Sequence, residues 1–488
     1  MTDQSATAVA GSASAPAARL EPNAIGVAQD TVIGMASSAP AASVALTMAA
    51  LAYSAAYGSG PIIIVLAIPM IIIANAYRRL NLWNANAGAS FEWVGRAINP
   101  YLGFLTGWLM IAAYVIATVS GVEVLGPSVL AVFGSDSTST WANIAIGTGV
   151  GVVMLVIAVV GIKITARAQV GMAVVEYGIL IGFAITGLVF VLGHHHGTFP
   201  ITKGWFSLTG IDGRGSIVAG FLAAVFMFTG WDGTLYVNEE VKHRRTNPGR
   251  AAIMAVALLA IIYTLATVGL QGTVSPAKLQ ANSADILVYV AQALGGGTWA
   301  KVMALSLALS VIATTGTGIV LTSRIVYGMA SYRTLPEFLS NVSRRFRTPV
   351  AASIVIGVLI IGLTWVYLLT TSVQNAFTDV VYVTGLLFAI FYILTAIATI
   401  VYYRRRVFTS VWDALVLGIL PFAAAVFLAW IVAEYLKTAP WAQRWSLIGV
   451  IGVGLVMMLY ARLILRSPFF HIRRESDQQQ ASPSSDRT

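Results

Sequence analysis

Long apolar segments, separated by short polar or basic stretches, occupy the chain from about residue 29 to residue 465. A helix needs about 20 mostly apolar residues to cross a bilayer. By that measure the pattern predicts twelve spans, near 29–54, 59–77, 101–131, 141–161, 168–192, 214–238, 250–272, 298–330, 350–370, 377–402, 411–435 and 446–465. The third and eighth are long enough to tilt or to project beyond lipid. A shorter amphipathic stretch, about Ala284 to Leu294, is expected on one surface ahead of the eighth span. The class is all-α integral membrane.

Two spans carry polar interruptions at matching places. The first is interrupted at Ser37-Ser38-Ala39-Pro40, the sixth at Thr229-Gly230-Trp231-Asp232-Gly233, and the backbone of Ala36–Pro40 would hold a solute's carboxylate or ammonium. Pro40 has no N–H to donate, and its ring clashes with the carbonyl four residues back. Ser37 and Ser38 can bond locally to backbone. An unwound stretch frees helix-end N–H groups for a carboxylate and carbonyls for a cation. A lone proline kink would explain the first interruption equally well. The second, with a carboxylate deep in an apolar helix, turns the balance toward a binding site between two similar halves. Phe228 and Trp231 would form its apolar wall. Gly230 and Gly233 would let backbone approach a ligand.

Composition agrees with this pattern. Of 488 residues, 58% are hydrophobic and 10% charged, against about 25% charged in soluble domains. The absence of cysteine excludes a disulfide-linked subunit, thiolate metal ligands and a thiol nucleophile. The net charge of +10 does not point to nucleic acid, because the basic residues alternate by loop. Twenty-two fall on one side, including Arg78, Arg79, Arg244, Arg245 and Arg404–Arg406, and five on the other. The positive-inside rule then puts both termini in the cytoplasm. Residues 1–28 and 466–488 read as polar tails, and 193–213 as an external loop. His194-His195-His196 lies in that loop; adjacent histidines cannot all face one ion, so no metal site is assigned.

Ionisable and hydroxyl residues inside spans are candidates for chemistry. Glu176 stands alone in the apolar stretch AVVEYGILIGFAITG and is the candidate for carrying a coupled proton. A structural bond to a neighbouring helix is the alternative. Glu123, Thr314 and Thr315 are secondary candidates, the threonines because hydroxyls can help hold sodium. Tyr114 is a candidate gate or ligand contact. Asp232 could contact solute or tether the unwound segment. No nucleophile–base pair and no mid-depth histidine suggest an enzyme, and no cofactor is implied.

Three blocks carry a family resemblance. They are GWDGTLYVNEEVKHRRTNPGRAA after the sixth span, SRIVYGMASYRTLPEFLSNVSRRFRTP from Ser323 to Pro349, and Gly103 to Trp108. Over roughly residues 25 to 465 the chain resembles the amino acid–polyamine–organocation (APC) family. The resemblance implies a 5+5 inverted repeat, here 29–192 and 214–403, with broken helices one and six and two peripheral helices within 411–465. It also implies substrate between helices one and six. Two departures stand out: Ser37-Ser38-Ala39-Pro40 replaces a glycine-flanked stretch, and His243-Arg244-Arg245 lengthens the loop before Asn247-Pro248.

The sequence therefore leads to the expectation of a secondary transporter of the bacterial-type plasma membrane. It would import a small amine-bearing solute, an amino acid, with a proton, amid membrane lipid. A polyamine, amine or cationic amino acid carrier or exchanger is the first alternative, and a sodium-coupled symporter the second.

Overall fold

The computed structural model describes residues 19–55, 58–135, 139–193, 199–206, 208, 214–275, 286–370 and 373–472. Within them twelve helices are long and apolar enough to cross a membrane, at Val27–Met48, Ser59–Trp83, Pro100–Val132, Thr140–Val160, Ile162–Leu192, Ile217–Leu235, Asn247–Thr273, Ile286–Ser331, Val350–Thr370, Asp379–Tyr403, Val411–Thr438 and Trp441–Leu463. They are numbered as spans one to twelve in that order. Among the described residues the β structure is a single bridge, Ile25 to Val241. The histidine run and most of the 193–213 loop lie outside the described residues, as do residues 1–18 and 473–488.

Periodicity explains which faces turn inward. Span five exposes Val174, Ile181, Ile185 and Val189, while Ala173, Glu176, Leu180, Phe183 and Ala184 are buried. The two sets fall on opposite faces of a 3.6-residue helix. The spans divide into an inner and an outer group. Spans one, six and eight have 78%, 89% and 78% of their apolar window buried, against 17% for span twelve. The inner group excludes lipid and can therefore hold polar groups that the outer group cannot.

Three spans depart from simple rods. Helix α1 (Val27–Ser37) ends, and helix α2 (Pro40–Ala55) begins after two intervening residues, Ser38 and Ala39. Pro40 takes the first position of α2, where its missing N–H costs nothing. Ala39 bridges the two with φ 45°, a left-handed conformation uncommon for a residue with a Cβ. In span six the α-helix stops at Met227 instead of running on to residue 238, and a 3-10 turn, Trp231–Leu235, follows Gly230 at φ 94°. Span eight is also two helices. Gly295 and Gly296 leave helical geometry, Gly296 with φ 73°, and set Ile286–Leu294 apart as the expected short segment.

Candidate functional site

The two interruptions touch. A Cβ built on Gly230 would lie 2.6 Å from the Ser37 carbonyl carbon and oxygen and 2.8 Å from the Ser38 nitrogen. Gly230 is thus spent on backbone-to-backbone approach between spans one and six. Gly233 faces the Leu321 side chain, where an added Cβ would meet Cδ1 at 2.3 Å. The sequence reading had reserved both glycines for a ligand.

A cavity opens beside this contact. It is small and partly open, and its walls are Ser37, Ser38, Ala39, Ala42, Ser43, Leu46, Ala117, Ser120, Gly121, Phe226, Thr229, Val311 and Thr314. None of these side chains is charged. Apart from the break itself, the lining lies on the side of the two interruptions away from the arginine-rich loops. Most lining hydroxyls are committed to backbone. Ser38 donates to Gly34 at 3.2 Å, Ser43 to Ser38 at 2.6 Å, Ser120 to Ala117 at 2.8 Å and Thr229 to Phe226 at 2.8 Å. Ser37 Oγ is buried without a partner and lies near the Tyr114 hydroxyl.

The amides at the break are also occupied. Ser38 and Ala39 donate to the Met35 and Ala36 carbonyls. The Ala41 N–H, the first available in α2, donates to Glu176 Oε1 at 3.1 Å. Ala42 N–H donates to Ser310 Oγ at 3.3 Å. Glu176 therefore comes from span five to the positive end of α2, where a carboxylate is electrostatically favoured. Glu176 is fully buried, and its Oε2 has no partner. Thr314 Oγ1 donates to Ala36 O at 2.7 Å and to Ser310 O at 2.9 Å, while Thr315 bonds within its own helix to Val311 O at 2.8 Å.

On the arginine-rich side of the cavity an aromatic cluster closes the space. Asp232 accepts from Tyr236 and from Tyr392, the latter at 2.7 Å. Tyr114 reaches the Gly230 carbonyl at 3.4 Å and comes close to Asp232. Trp231 stacks on Tyr392 with centroids 5.2 Å apart and meets Tyr77 edge-on. Phe228 packs against Tyr263. The apolar ring on the cavity is instead Phe226, two residues before Phe228, which sequence order did not single out.

A second closure lies on the same side, between span eight and the segment after span six. The guanidinium of Arg324 donates twice to Glu240, both bonds at 3.0 Å, with both side chains fully buried. The Glu240 carbonyl accepts from Ala24 and Ile25, and Lys242 donates back to Ile25. Glu239 accepts from the Ala87 N–H at 3.1 Å, and burial holds its carboxyl above the usual glutamate range.

Glu123 lies apart from the cavity and accepts from Tyr367 at 2.7 Å. Asp30, unremarked in the sequence, is fully buried with both oxygens unpartnered. Its place in the first turns of a span disguised it as an ordinary helix-start acid. Among the described residues no cluster of three metal-ligating side chains occurs.

A family model described as amino acid permease matches residues 28–461. The chain belongs to the amino acid permease family. It is thus an APC-superfamily permease, a multi-pass integral membrane protein of a transporter family and not of an enzyme family. Among relatives of this permease, the Asc-type amino acid transporter 1 of Mus musculus is 31% identical over 141 residues, which is 29% of this chain and 26% of that protein. The gamma-aminobutyric acid permease of Bacillus subtilis (strain 168) is 23% identical over 57% of this chain and 58% of its own length. The D-serine/D-alanine/glycine transporter of Escherichia coli (strain K12) is 22% identical over 71% of this chain and 74% of its own. The permease thus matches only about a quarter of the Asc-type relatives' length.

Proposed function

We propose that this permease carries an amino acid across the membrane together with a proton, by alternating access around the cavity beside Ser37–Pro40. Spans one to five and six to ten would form the two inverted halves, with the α1–α2 gap and the Gly230 turn as their paired breaks. The membrane would be a bacterial-type plasma membrane, with the arginine-rich side cytoplasmic.

The observation that carries the reading is the bond from the Ala41 N–H to Glu176. It ties span five to the start of α2, and the second carboxylate oxygen is left without a partner in a buried site. An ionised carboxylate holds the α2 terminus; a protonated one releases part of that attraction. Proton binding is thereby linked to the packing of span one, which is what symport requires.

An uncharged lining supports a net-neutral zwitterion over a diamine or cationic amino acid. A cation would need a carboxylate at the wall, since burying an unpaired charge is costly. Asp232 lies outside the lining, bonded to Tyr236 and Tyr392, and Ser37 Oγ, near the Tyr114 hydroxyl, has bonding capacity left for a solute. Sodium coupling is the second reading; Thr314 Oγ1, bonded to the Ala36 and Ser310 carbonyls, keeps its lone pairs for a cation. The relatives' names fall on both sides: a gamma-aminobutyric acid permease and a D-serine/D-alanine/glycine transporter favour a net-neutral solute, while another relative is named a cationic amino acid transporter.

The test is uptake into proteoliposomes with an imposed pH gradient. Alanine, serine or glycine is expected to accumulate when the inside is alkaline, without sodium. Glu176→Gln is expected to bind solute but lose gradient-driven accumulation. Retained, pH-dependent accumulation in that variant would overturn the coupling role.

A further inference from the structure

We propose that the arginine-rich face binds the headgroup of an anionic phospholipid where spans two, seven and ten end. Arg78 and Arg79 close span two, Arg250 lies in the first turn of span seven, and Arg404–Arg406 follow span ten. The three ends are tied together. The Tyr403 hydroxyl donates to the Arg79 carbonyl at 2.9 Å, and Trp83 stacks on Tyr402 at 3.9 Å. Gly249 admits the Arg78 side chain, since a Cβ there would meet Arg78 Cβ at 2.6 Å. Arg79 and Arg250 both act electrostatically on Arg78, and Arg79 and Arg406 both act on Tyr403. Asn81 donates to the carbonyls of Arg244 and Arg245, which brings two more exposed cations to the rim.

Little protein charge balances this group. Glu92 is paired with Arg96, Glu240 with Arg324 and Glu21 with Lys163, while Glu239 accepts from the Ala87 N–H and also interacts with Arg244 at the rim. Asp413 reaches Arg406 alone, at 3.4 Å. Arg79 Nε is buried without a partner. Like charges held together in this way attract an anion. A phosphate suits them, because guanidinium groups match its oxygens.

The neighbouring loop selects lipid over free phosphate as the source. Phe408 and Val411 are 89% and 88% exposed, and Trp412 is 67% exposed, directly after the arginine triplet. Apolar and aromatic side chains beside basic ones are suited to a bilayer interface, where rings enter the headgroup region and arginines meet phosphate. The proposal does not depend on which solute is carried.

The experiment uses the full chain in detergent, delipidated, then offered phosphatidylglycerol or phosphatidylcholine. Lipid retention is read by native mass spectrometry, and stability by thermal unfolding. Wild type is expected to retain phosphatidylglycerol about tenfold over phosphatidylcholine, a preference of about 1.4 kcal/mol, and to unfold at higher temperature with it. Arg78→Gln with Arg250→Gln is expected to lose the preference. Arg344→Gln with Arg345→Gln, two exposed arginines on another loop of the same face, is expected to keep it. Should the double variant not fold, Arg250→Gln alone, at an exposed position, is expected to lower retention several-fold. Equal retention of both lipids, equal loss in the Arg344/Arg345 control, unchanged retention in Arg250→Gln, or the same stabilisation by inorganic phosphate would each overturn the proposal.

Discussion

At the scale of single residues, two backbone positions hold the cavity in shape. Gly230 lies at φ 94° with Ser37 against it, so any side chain forces spans one and six apart. Gly230→Ala is expected to lower thermal stability and to abolish uptake, and wild-type uptake by the variant would contradict the contact. Ala39 holds φ 45°, which costs an L-residue about 1–2 kcal/mol. Ala39→Gly relieves that strain at some cost in unfolded-chain entropy. A net gain of about 0.5–1 kcal/mol is expected in denaturant unfolding. Sequence composition flagged Gly230 as permissive but could not say whether its neighbour was ligand or protein. The same limit affected Phe226 and Phe228: both are apolar, and only the rotation of the helix puts the first on the cavity.

At the scale of elements, the C-terminal turn fastens one end of the bundle. The 3-10 turn Pro468–His471 follows span twelve, and its Phe469 is fully buried against Phe91 of the short helix Ser90–Ala97, rings stacked at 4.2 Å. Gly95 and Ser467 complete the seat; a Cβ on Gly95 would meet Phe469 at 2.4 Å, and Ser467 donates to the Tyr332 carbonyl at 2.6 Å. Phe470 lies against Tyr101 and Phe104 at the start of span three. Phe469→Ala is expected to cost about 3–5 kcal/mol, the range for large aromatic truncations in packed sites. A fall in unfolding temperature checks it, and an unchanged transition would contradict the seat. Nothing in the sequence marked residues 468–471 as docked, because they follow the last apolar run and carry no periodic signal.

At the scale of the whole molecule, the arginine-rich side is closed by contacts between distant segments. Residues 24–26 are strapped to 240–242, and Arg324 is locked on Glu240. Breaking one partner of a buried pair leaves an uncompensated charge, at about 3–5 kcal/mol. Glu240→Gln is therefore expected to destabilise the protein strongly. Adding Arg324→Met to it is expected to recover part of the loss. Additive losses in this double-mutant cycle would show that the pair is not coupled. Together with the aromatic cluster around Asp232, these contacts fill the arginine-rich side of the break.

The sequence alone determined the membrane class, the number of spans, the alternation of basic loops and the family, because each depends on composition and order along one dimension. Apolar length sets a span, and loop charge sets its direction, whatever packs beside it. It also located the two interruptions, since proline and paired glycines act locally on the helix. Only the tertiary structure decided what those interruptions face. Glu176 and Ala41 are 135 residues apart, and Arg324 and Glu240 are 84 apart. Such pairings arise from the packing of whole helices, and neighbours along the chain carry no record of them.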